Sequence, residues 1–487
     1  MSAKTVWLAL GLAIVLAAGL CAGEPAPEAP KPEAPAAEAP APETPEDYGL
    51  FDRFKNIEAG GVIFNVTGEA MFRYQYWDDF DIDEYQPVDG RGGRTDGFFD
   101  SRIKLGVEAK IGEQVTLFVE GMDARRTSYD DGRNAAFGLV TKPVRYYPGD
   151  DYLELHQAWA LVSTPGGLPV AFKVGRQEIN LGSGRILGSQ SWQNVPQTFD
   201  AVVMLIPLEP VTIATWYGKA TPFPKQSSPN HHLNRFDYYG VYSMWKMPDI
   251  DAFDVYWMHL VQDHGMLVPG DIRMHAVGMR LQDTVAERIH WGFETVFEFG
   301  EVGPYTLQAH AFHGELGYSF VEMPWTPTVM FEYNRATGDP GGVAGNSQLN
   351  SFFTWFPSYH GMFGIMDMFQ WSNIEHYKVG CTFHPHERVK LEVAGHIFYL
   401  DHSGDRWFMG RAGVPAPLLG SGAAGRAGVP GDSNHVGEEI DTVVTVDVSE
   451  NCTVEAGYAH FFAGSYIDDT GPNGGADFGY VMTTFKF

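Results

Sequence analysis

Short segments in which apolar and polar side chains alternate run through most of this chain of 487 residues. In one of them, Ile103, Leu105 and Val107 share one face, and Lys104 and Glu108 share the other. Alternation with a period of two is the pattern of β-strands that have one apolar and one polar face. Eighteen such segments begin near Gly61, Phe98, Gln114, Tyr152, Pro169, Thr198, Pro210, Phe236, Ala252, Ile272, Arg288, Tyr305, Trp325, Glu375, Glu387, Gly437, Cys452 and Asp477. This repetition predicts an all-β fold.

The connections between these segments alternate in length. The long ones are 77–97, 127–151, 178–197, 219–235, 336–374 and 401–436, and the short ones are 112–113, 164–168, 207–209, 248–251, 385–386 and 449–451. Barrels of the bacterial outer membrane combine long external loops with short periplasmic turns. We therefore predict a transmembrane antiparallel β-barrel of about 18 strands over residues 48–487.

Closure of the sheet distinguishes a membrane barrel from a soluble β-rich protein. A strand with one face on a protein core and the other in water shows the same alternation, so a secreted β-rich carbohydrate-binding protein or hydrolase is the alternative from another class. In lipid every backbone amide must be paired, so the sheet cannot have an edge. The segment from Gly479 to Phe487 alternates and ends on an aromatic side chain, and we expect it to pair with the first strand.

The N-terminus has the features of an export signal. Lys4 provides a positive end, residues 6–20 an apolar core and residues 21–23 a small-residue cleavage site, so residues 1–23 are predicted to be a signal peptide. Residues 24–47 are almost entirely Pro, Ala and Glu, a composition typical of disordered, extended linkers. This linker is either a solvated spacer or a tether to a periplasmic partner.

The composition excludes several classes of function. A formal charge of −28 argues against nucleic acid as a partner, because phosphate binding needs a basic surface. Any polyanion would therefore depend on local arginines. Cys381 and Cys452 lie on strands that we place three apart, too far for a disulfide, so we expect free thiols.

Motifs of catalysis and of metal binding find no support. The stretch Gly420–Gly425 matches a dinucleotide-binding pattern but lies in a Gly, Ala and Pro-rich loop without the required strand and helix. Asp78–Glu84 is acidic yet lacks the glycine-centred spacing of a calcium loop, and the scattered histidines are typical of solvated surface. We expect no enzyme activity, no cofactor and no metal ion.

Three blocks of sequence resemble the alginate export family of outer-membrane β-barrels. The first comprises Gly175–Glu178, Gly182–Arg185, Trp192–Asn194 and Phe199–Asp200; the second runs from Glu332 to Asp339 and continues through Phe352, Phe353, Pro357, His360, Gly364, Asp367 and Asn373; the third comprises Gly437–Asp441 and Gly457–Gly464. Together they extend from about residue 60 to the terminus.

The resemblance implies a barrel whose lumen is narrowed by inward loops and lined by arginines that conduct a polyuronate. Guanidinium groups make bidentate contacts with carboxylates, and several weak sites in series allow passage. The candidate site residues on matching motif positions are Arg176, Arg185 and Arg335, with Glu178, Asp200 and Asp339 as partners. These six either contact the solute or pin loops inside the barrel. The direction of Arg176 stays open, because it shares the parity of the lipid-facing Val174.

The parity of the strands also predicts which charges face the lumen. The basic set is Arg73, Arg102, Lys104, Lys110, Lys173, Lys378 and Lys390, and the acidic set is Glu69, Glu108, Glu120, Glu154, Glu294, Glu298 and Glu392. The numbers of positive and negative charges are equal, which argues against a lumen that is selective for a polyanion. We expect a monomeric passive channel in the outer membrane for a hydrophilic solute, with an anionic polysaccharide such as alginate as one candidate and small nutrients as the other.

Overall fold

The structure is a computed structural model, and its strands form one sheet. The structure describes residues 54–78, 96–128, 151–221, 236–263, 270–340, 347–358, 360–408, 433–471 and 474–487. The strands are β1 (Ile57–Ala59), β2 (Val62–Asp78), β3 (Asp96–Ile111), β4 (Val115–Ser128), β5 (Asp151–Ser163), β6 (Ala171–Gln177), β7 (Phe199–Leu208), β8 (Val211–Ala220), β9 (Phe236–Met247), β10 (Ile250–Gln262), β11 (Ile272–Val285), β12 (Ile289–Val302), β13 (Tyr305–Ser319), β14 (Thr328–Ala336), β15 (Gln348–Leu349), β16 (Ile374–His386), β17 (Val389–Tyr399), β18 (His435–Ser449), β19 (Cys452–Ala463) and β20 (Ala476–Lys486).

The sheet closes into a barrel. Each strand from β2 onward pairs with the next one in antiparallel fashion, except that the two-residue β15 is bypassed and β14 pairs with β16. The last strand, β20, pairs with β2 from Glu69↔Lys486 to Asp78↔Asp477. The predicted barrel of 18 strands is therefore confirmed, and each predicted start lies within three residues of an observed one.

The C-terminal residue completes the closing seam. Gly68 and Phe487 exchange two backbone hydrogen bonds of 3.1 Å. The ring of Phe487 lies over Gly68, in space that a Cβ would fill, and its centroid is 5.8 Å from that of Phe54. The expectation that the aromatic terminus pairs with the first strand is confirmed.

The outer face of the barrel is apolar. Large apolar side chains that remain exposed follow the outward parity of successive strands, as in Ile103, Leu105, Val107, Leu117, Val119, Val174, Val202, Val241, Trp257, Val277, Phe297, Phe331, Val379, Val393 and Ile440. Such a band suits lipid and would be costly in water. Among the described residues, no helix has the length and apolar character needed to cross a membrane.

The two halves of the lumen differ in packing. In β2 the residues from Val62 to Ala70 are half-buried, whereas Met71, Arg73 and Gln75 further along are buried. Other strands show the same gradient, with full burial towards the end that carries the long connections. The rule that long loops are external makes this the external half. The connection 303–304 between β12 and β13 is a short turn at the external end. It departs from the predicted alternation of long external loops and short periplasmic turns.

The remaining sequence predictions have different outcomes, and one element was missed. Cys381 and Cys452 are free thiols, as expected. A short helix, α1 (Ser465–Thr470), packs against the barrel and was not predicted. The signal peptide, the linker, Gly420–Gly425 and most of Asp78–Glu84 lie outside the described residues.

Candidate functional site

Two segments of chain fill the external half of the lumen. The first inward segment, residues 178–198, follows β6, and the second inward segment, residues 347–373, lies between β14 and β16. They are joined as neighbouring extended chains, because Phe356 N donates to Ile186 O at 2.9 Å and Gly188 N donates to Phe356 O at 2.7 Å. Gly184 O accepts from Ser358 N at 2.8 Å.

An apolar core holds the two segments together and against the wall. Trp355, Phe356, Phe369 and Trp371 are almost completely buried within it. The ring of Phe369 stacks on Phe398 of β17 with centroids 3.7 Å apart. Burial of this kind is worth roughly 1.5–3 kcal/mol for each large apolar side chain, so the segments are parts of the folded barrel.

Arginines on the wall anchor the first inward segment through its carbonyls. Arg73 donates to Trp192 O at 2.7 Å, and Arg102 donates to Ser191 O at 3.0 Å and to Gln193 O at 2.5 Å. Arg73 also lies over the ring of Trp192, 4.1 Å from its centroid. These cations are therefore occupied by backbone acceptors of the segment.

Carboxylates on the same wall orient these arginines. Asp100 is fully buried and accepts from Arg73 at 3.0 Å and from Arg126 at 2.6 and 2.8 Å. Glu69 accepts from Arg102 at 2.7–2.8 Å. Pairing of this type is what allows charges to be buried in a protein.

The second inward segment is anchored in the opposite sense, by wall carboxylates that accept from its N–H groups. Glu298 of β12 accepts from Phe353 N at 2.8 Å and from Trp355 Nε1 at 2.7 Å. On β18, Glu439 accepts from Met366 N at 3.0 Å and Asp441 accepts from Ile365 N at 3.1 Å.

A glycine permits the close approach to Glu439. Gly364 has a φ of 82°, and a Cβ at this position would lie 2.6 Å from Glu439 Oε2 and closer still to Oε1 and Cδ. Gly361 has a similar φ of 74°, but nothing lies within 4 Å of its Cβ position. Position 364 therefore requires glycine both for its positive φ and for the close contact with Glu439.

Below the joined segments, a cavity of about 380 Å³ opens between them and the wall. Its lining includes Trp192 and His360, whose rings stack 3.6 Å apart. On the wall side the lining includes the charged residues Glu69, Arg102, Glu455 and Lys486. The lining therefore carries charges of both signs beside apolar side chains.

Arg176 forms an ion pair with Asp200, one of the three carboxylates named as partners from the sequence. Arg176 Nε lies 2.8 Å from Asp200 Oδ1 and Nη2 lies 3.1 Å from Oδ2, and Glu154 adds a contact at 3.1 Å. The register places the pair on the face of Val174 and Val202, which are 46% and 40% exposed. By register this face is the outer one, but the Arg176 side chain also reaches Glu154, whose register is inward.

Glu178 contacts a lysine and a histidine of the wall. It accepts from Lys104 at 3.0 Å and interacts with His156 at 2.8 Å, at the start of the first inward segment. Burial alone would raise the pKa of Glu178, but the hydrogen bond with His156 and the charge of Lys104 hold it well below its usual range. Glu178 thus ties the segment to the wall.

Arg185 lies inside the barrel, between the two inward segments. Its side chain is 8% exposed; Nη2 lies 3.8 Å from Glu332 Oε2 and 3.3 Å from His313 Nε2. The aromatic rings of Phe363 and Trp371 flank it at 6.0 and 5.7 Å. Of the three predicted arginines, this is the one directed inward.

Arg335 and Asp339 do not pair with each other. Arg335 contacts Asp401 at 2.7–2.8 Å and shares the outward face of Phe331, which is 46% exposed. Asp339 is fully buried, and its N–H donates to Asp405 Oδ2 at 2.8 Å.

Asp405 has an unusual environment outside the strands. It accepts from Ser351 Oγ at 2.5 Å and from the N–H groups of Asp339 and Arg406 at 2.8 Å each. Burial raises the pKa of the Asp405 carboxyl, helped by the nearby charge of Asp339, and the three hydrogen bonds oppose this rise without cancelling it.

The sequence predicted which wall charges face the lumen, but it did not predict which groups these charges bind. All fourteen charges assigned to the lumen by parity lie on the inward register in the structure. The lumen face also carries Arg126, Lys246, Arg280 and Lys486, and the acids Asp100, Asp254, Glu315, Glu332, Glu439, Asp441, Asp447 and Glu455. In this full set carboxylates outnumber bases.

Solved structures with the same architecture are outer-membrane porins. Pseudomonas aeruginosa OccK8 (OprE) is 10% identical with a TM-score of 0.54, over 87% of this chain and 98% of that one. Acinetobacter baumannii OccAB2 is 12% identical with a TM-score of 0.54 over the same shares. Pseudomonas aeruginosa OccK11 (OpdR) is 11% identical with a TM-score of 0.52, over 87% and 96%. At these identities the similarity establishes the fold alone.

A closed barrel with an apolar outside and a charged, partly filled lumen defines the class as an outer-membrane channel. The comparison with curated proteins returned no match. The family model described as "Alginate export" matches residues 65–480. The chain belongs to the alginate export family, as the sequence motifs predicted.

Proposed function

We propose that this channel passes hydrophilic solutes passively and that its lumen favours neutral or cationic solutes over polyanions. The observation that carries the proposal is the pairing of the lumen arginines. Among the described residues, each arginine on the inward register of the wall or in an inward segment has a carboxylate oxygen within 4 Å: Arg73, Arg102, Arg126, Arg185 and Arg280. A paired guanidinium offers little to a passing uronate, because its positive field is already neutralised.

An anionic polysaccharide is the second candidate, and membership of the alginate export family favours it. Lys486 lines the cavity below the inward segments, beside the paired Arg102, and could contact a uronate there. The surplus of carboxylates on the lumen face opposes this reading, since a polyanion meets net repulsion. Small hydrophilic nutrients meet no such barrier.

For the predicted site residues we propose pinning as the main role. Arg176 and Arg335 lie at strand ends on the outward register and are paired with Asp200 and Asp401, and Arg176 also contacts Glu154. Glu178 holds the first inward segment to β3 and β5. Arg185 faces inward and has the longest carboxylate contact of the five lumen arginines, 3.8 Å to Glu332, so it is the candidate for solute contact.

Reversal potentials of the refolded protein in planar bilayers test the proposal. In a KCl gradient we expect cation preference, and neutral oligosaccharides should lower the conductance more than oligouronates of the same length. Anion preference together with block by oligouronates would refute our proposal and support polyuronate transport. A folded Arg185→Gln variant should change solute block, whereas Arg335→Gln should not.

A further inference from the structure

One histidine and two glutamates converge on the lumen wall. Glu120 comes from β4, His156 from β5, and Glu178 is the first residue of the first inward segment. One donor atom from each of the three lies within 4.8 Å of the other two. An imidazole nitrogen with two carboxylate oxygens is a donor set that binds divalent transition metals, including zinc. We propose that these three side chains form a binding site for a divalent transition-metal ion.

A β-bulge brings the histidine into position. The register between β4 and β5 shifts from Glu120↔Gln157 to Gly121↔Leu155, so His156 is the extra residue. Bulges turn an additional side chain towards one face of a sheet. Here the shift turns His156 into the lumen wall, where it is 3% exposed.

A neighbouring amide contacts the carboxylate of Glu120 and the backbone of Glu178. Gln157 Nε2 donates to Glu120 Oε1 at 3.1 Å, and Gln157 Oε1 accepts from the backbone N–H of Glu178 at 3.3 Å. Outer groups of this kind fix the geometry of metal ligands. Glu120 lies on β4 and Glu178 begins the first inward segment, and the Gln157 side chain contacts both residues.

Lys104 supplies the positive charge at this place when no metal is bound. Its Nζ lies 3.0 Å from Glu178 Oε1, the atom that also contacts His156. A metal ion would compete with this ammonium group for the carboxylate. Wild-type affinity is therefore limited by Lys104, and removal of its charge should tighten binding.

A bound ion would affect both anchoring and permeation. Glu178 would remain tied to the wall, with the metal replacing the ammonium contact. The ion would add positive charge beside the solute path, which shifts the permeability towards anions. This effect does not depend on which solute the channel carries.

Zinc titration by calorimetry tests the site on the full chain refolded in detergent without a histidine tag. A Cys381→Ser/Cys452→Ser background removes the described thiols as ligands. We expect one zinc ion per chain. His156→Gln and Glu120→Gln should each weaken binding by about tenfold or more, and Lys104→Met should tighten it. His290→Gln alters a lumen-facing histidine of β12 outside the cluster and should leave the affinity unchanged.

Heat-modifiable migration checks that each variant is folded, and reversal potentials with and without zinc provide the second readout. A zinc-induced shift towards anions that disappears in the folded Glu120→Gln variant supports the site. The proposal is overturned if wild type and Lys104→Met bind no zinc, or if His156→Gln and Glu120→Gln bind it as tightly as wild type.

Discussion

Substitution of Gly364 by alanine tests how the second inward segment is held. The new methyl group would overlap the carboxylate of Glu439, which accepts from Met366 N at 3.0 Å. The carboxylate is fully buried beside Asp441 and has little room to retreat. We therefore expect the hydrogen bond to Met366 to break or the segment to shift.

Three contributions set the size of the effect. A non-glycine residue in the left-handed region costs about 1–2 kcal/mol. Overpacking of a filled interior costs roughly 1–3 kcal/mol, and leaving a buried donor unpaired adds about 1–3 kcal/mol. Gly361→Ala carries the first cost alone, because its Cβ position is open. The difference between the two variants should thus be about 2–6 kcal/mol.

The assay is reversible urea unfolding of both variants in lipid vesicles, with open-channel noise recorded in planar bilayers. Gly364→Ala should have the lower unfolding midpoint and the noisier conductance, since the segment it loosens fills the lumen. Equal midpoints and equal noise for the two variants would refute the idea that contact with Glu439 anchors the segment.

Three further predictions concern the anchors, the pH dependence and the seam. Arg102→Met removes two bonds to carbonyls of the first inward segment, so single-channel records should show more frequent high-conductance events; unchanged records would contradict this. The raised pKa of Asp405 means that the folded state binds its proton more tightly, so this group stabilises the protein at low pH and loses that contribution as pH rises through its folded pKa. Asp405→Asn should flatten this decline in urea midpoints measured from pH 3 to 8. Phe487→Ala should reduce the yield of heat-modifiable barrel, whereas Phe485→Ala on the exposed face should not.

The barrel could be predicted from the sequence because each strand carries its own local signal. Alternation in segments such as 102–111 and 289–299 follows directly from a wall between lipid and lumen, so parity also predicted the inward charges. The aromatic residue at its end, Phe487, identified the last strand. None of these signals depends on contacts that are distant in sequence.

The pairing inside the lumen could not be predicted in the same way. The partner of Glu178 is 74 residues away at Lys104, and the partner of Arg335 is 66 residues away at Asp401. Arg176 and Asp200 were both named from the sequence without being assigned to each other, and they lie directly opposite each other on adjacent strands. Contacts of the inward segments depend on how a loop folds back through space, which strand periodicity does not describe.

The opposite anchoring of the two inward segments has a consequence for selectivity. Wall arginines donate hydrogen bonds to carbonyls of the first inward segment, and wall carboxylates accept hydrogen bonds from N–H groups of the second. These buried charges are therefore unavailable to solutes. The periplasmic half keeps partly exposed pairs, such as Lys110 with Glu108 and Lys390 with Glu392. Exposed pairs of this kind are weakly bound and screened by water, so they can exchange partners with a passing solute. Ion preference should therefore respond to substitutions in the periplasmic half, and substitutions among the buried anchors should first change stability.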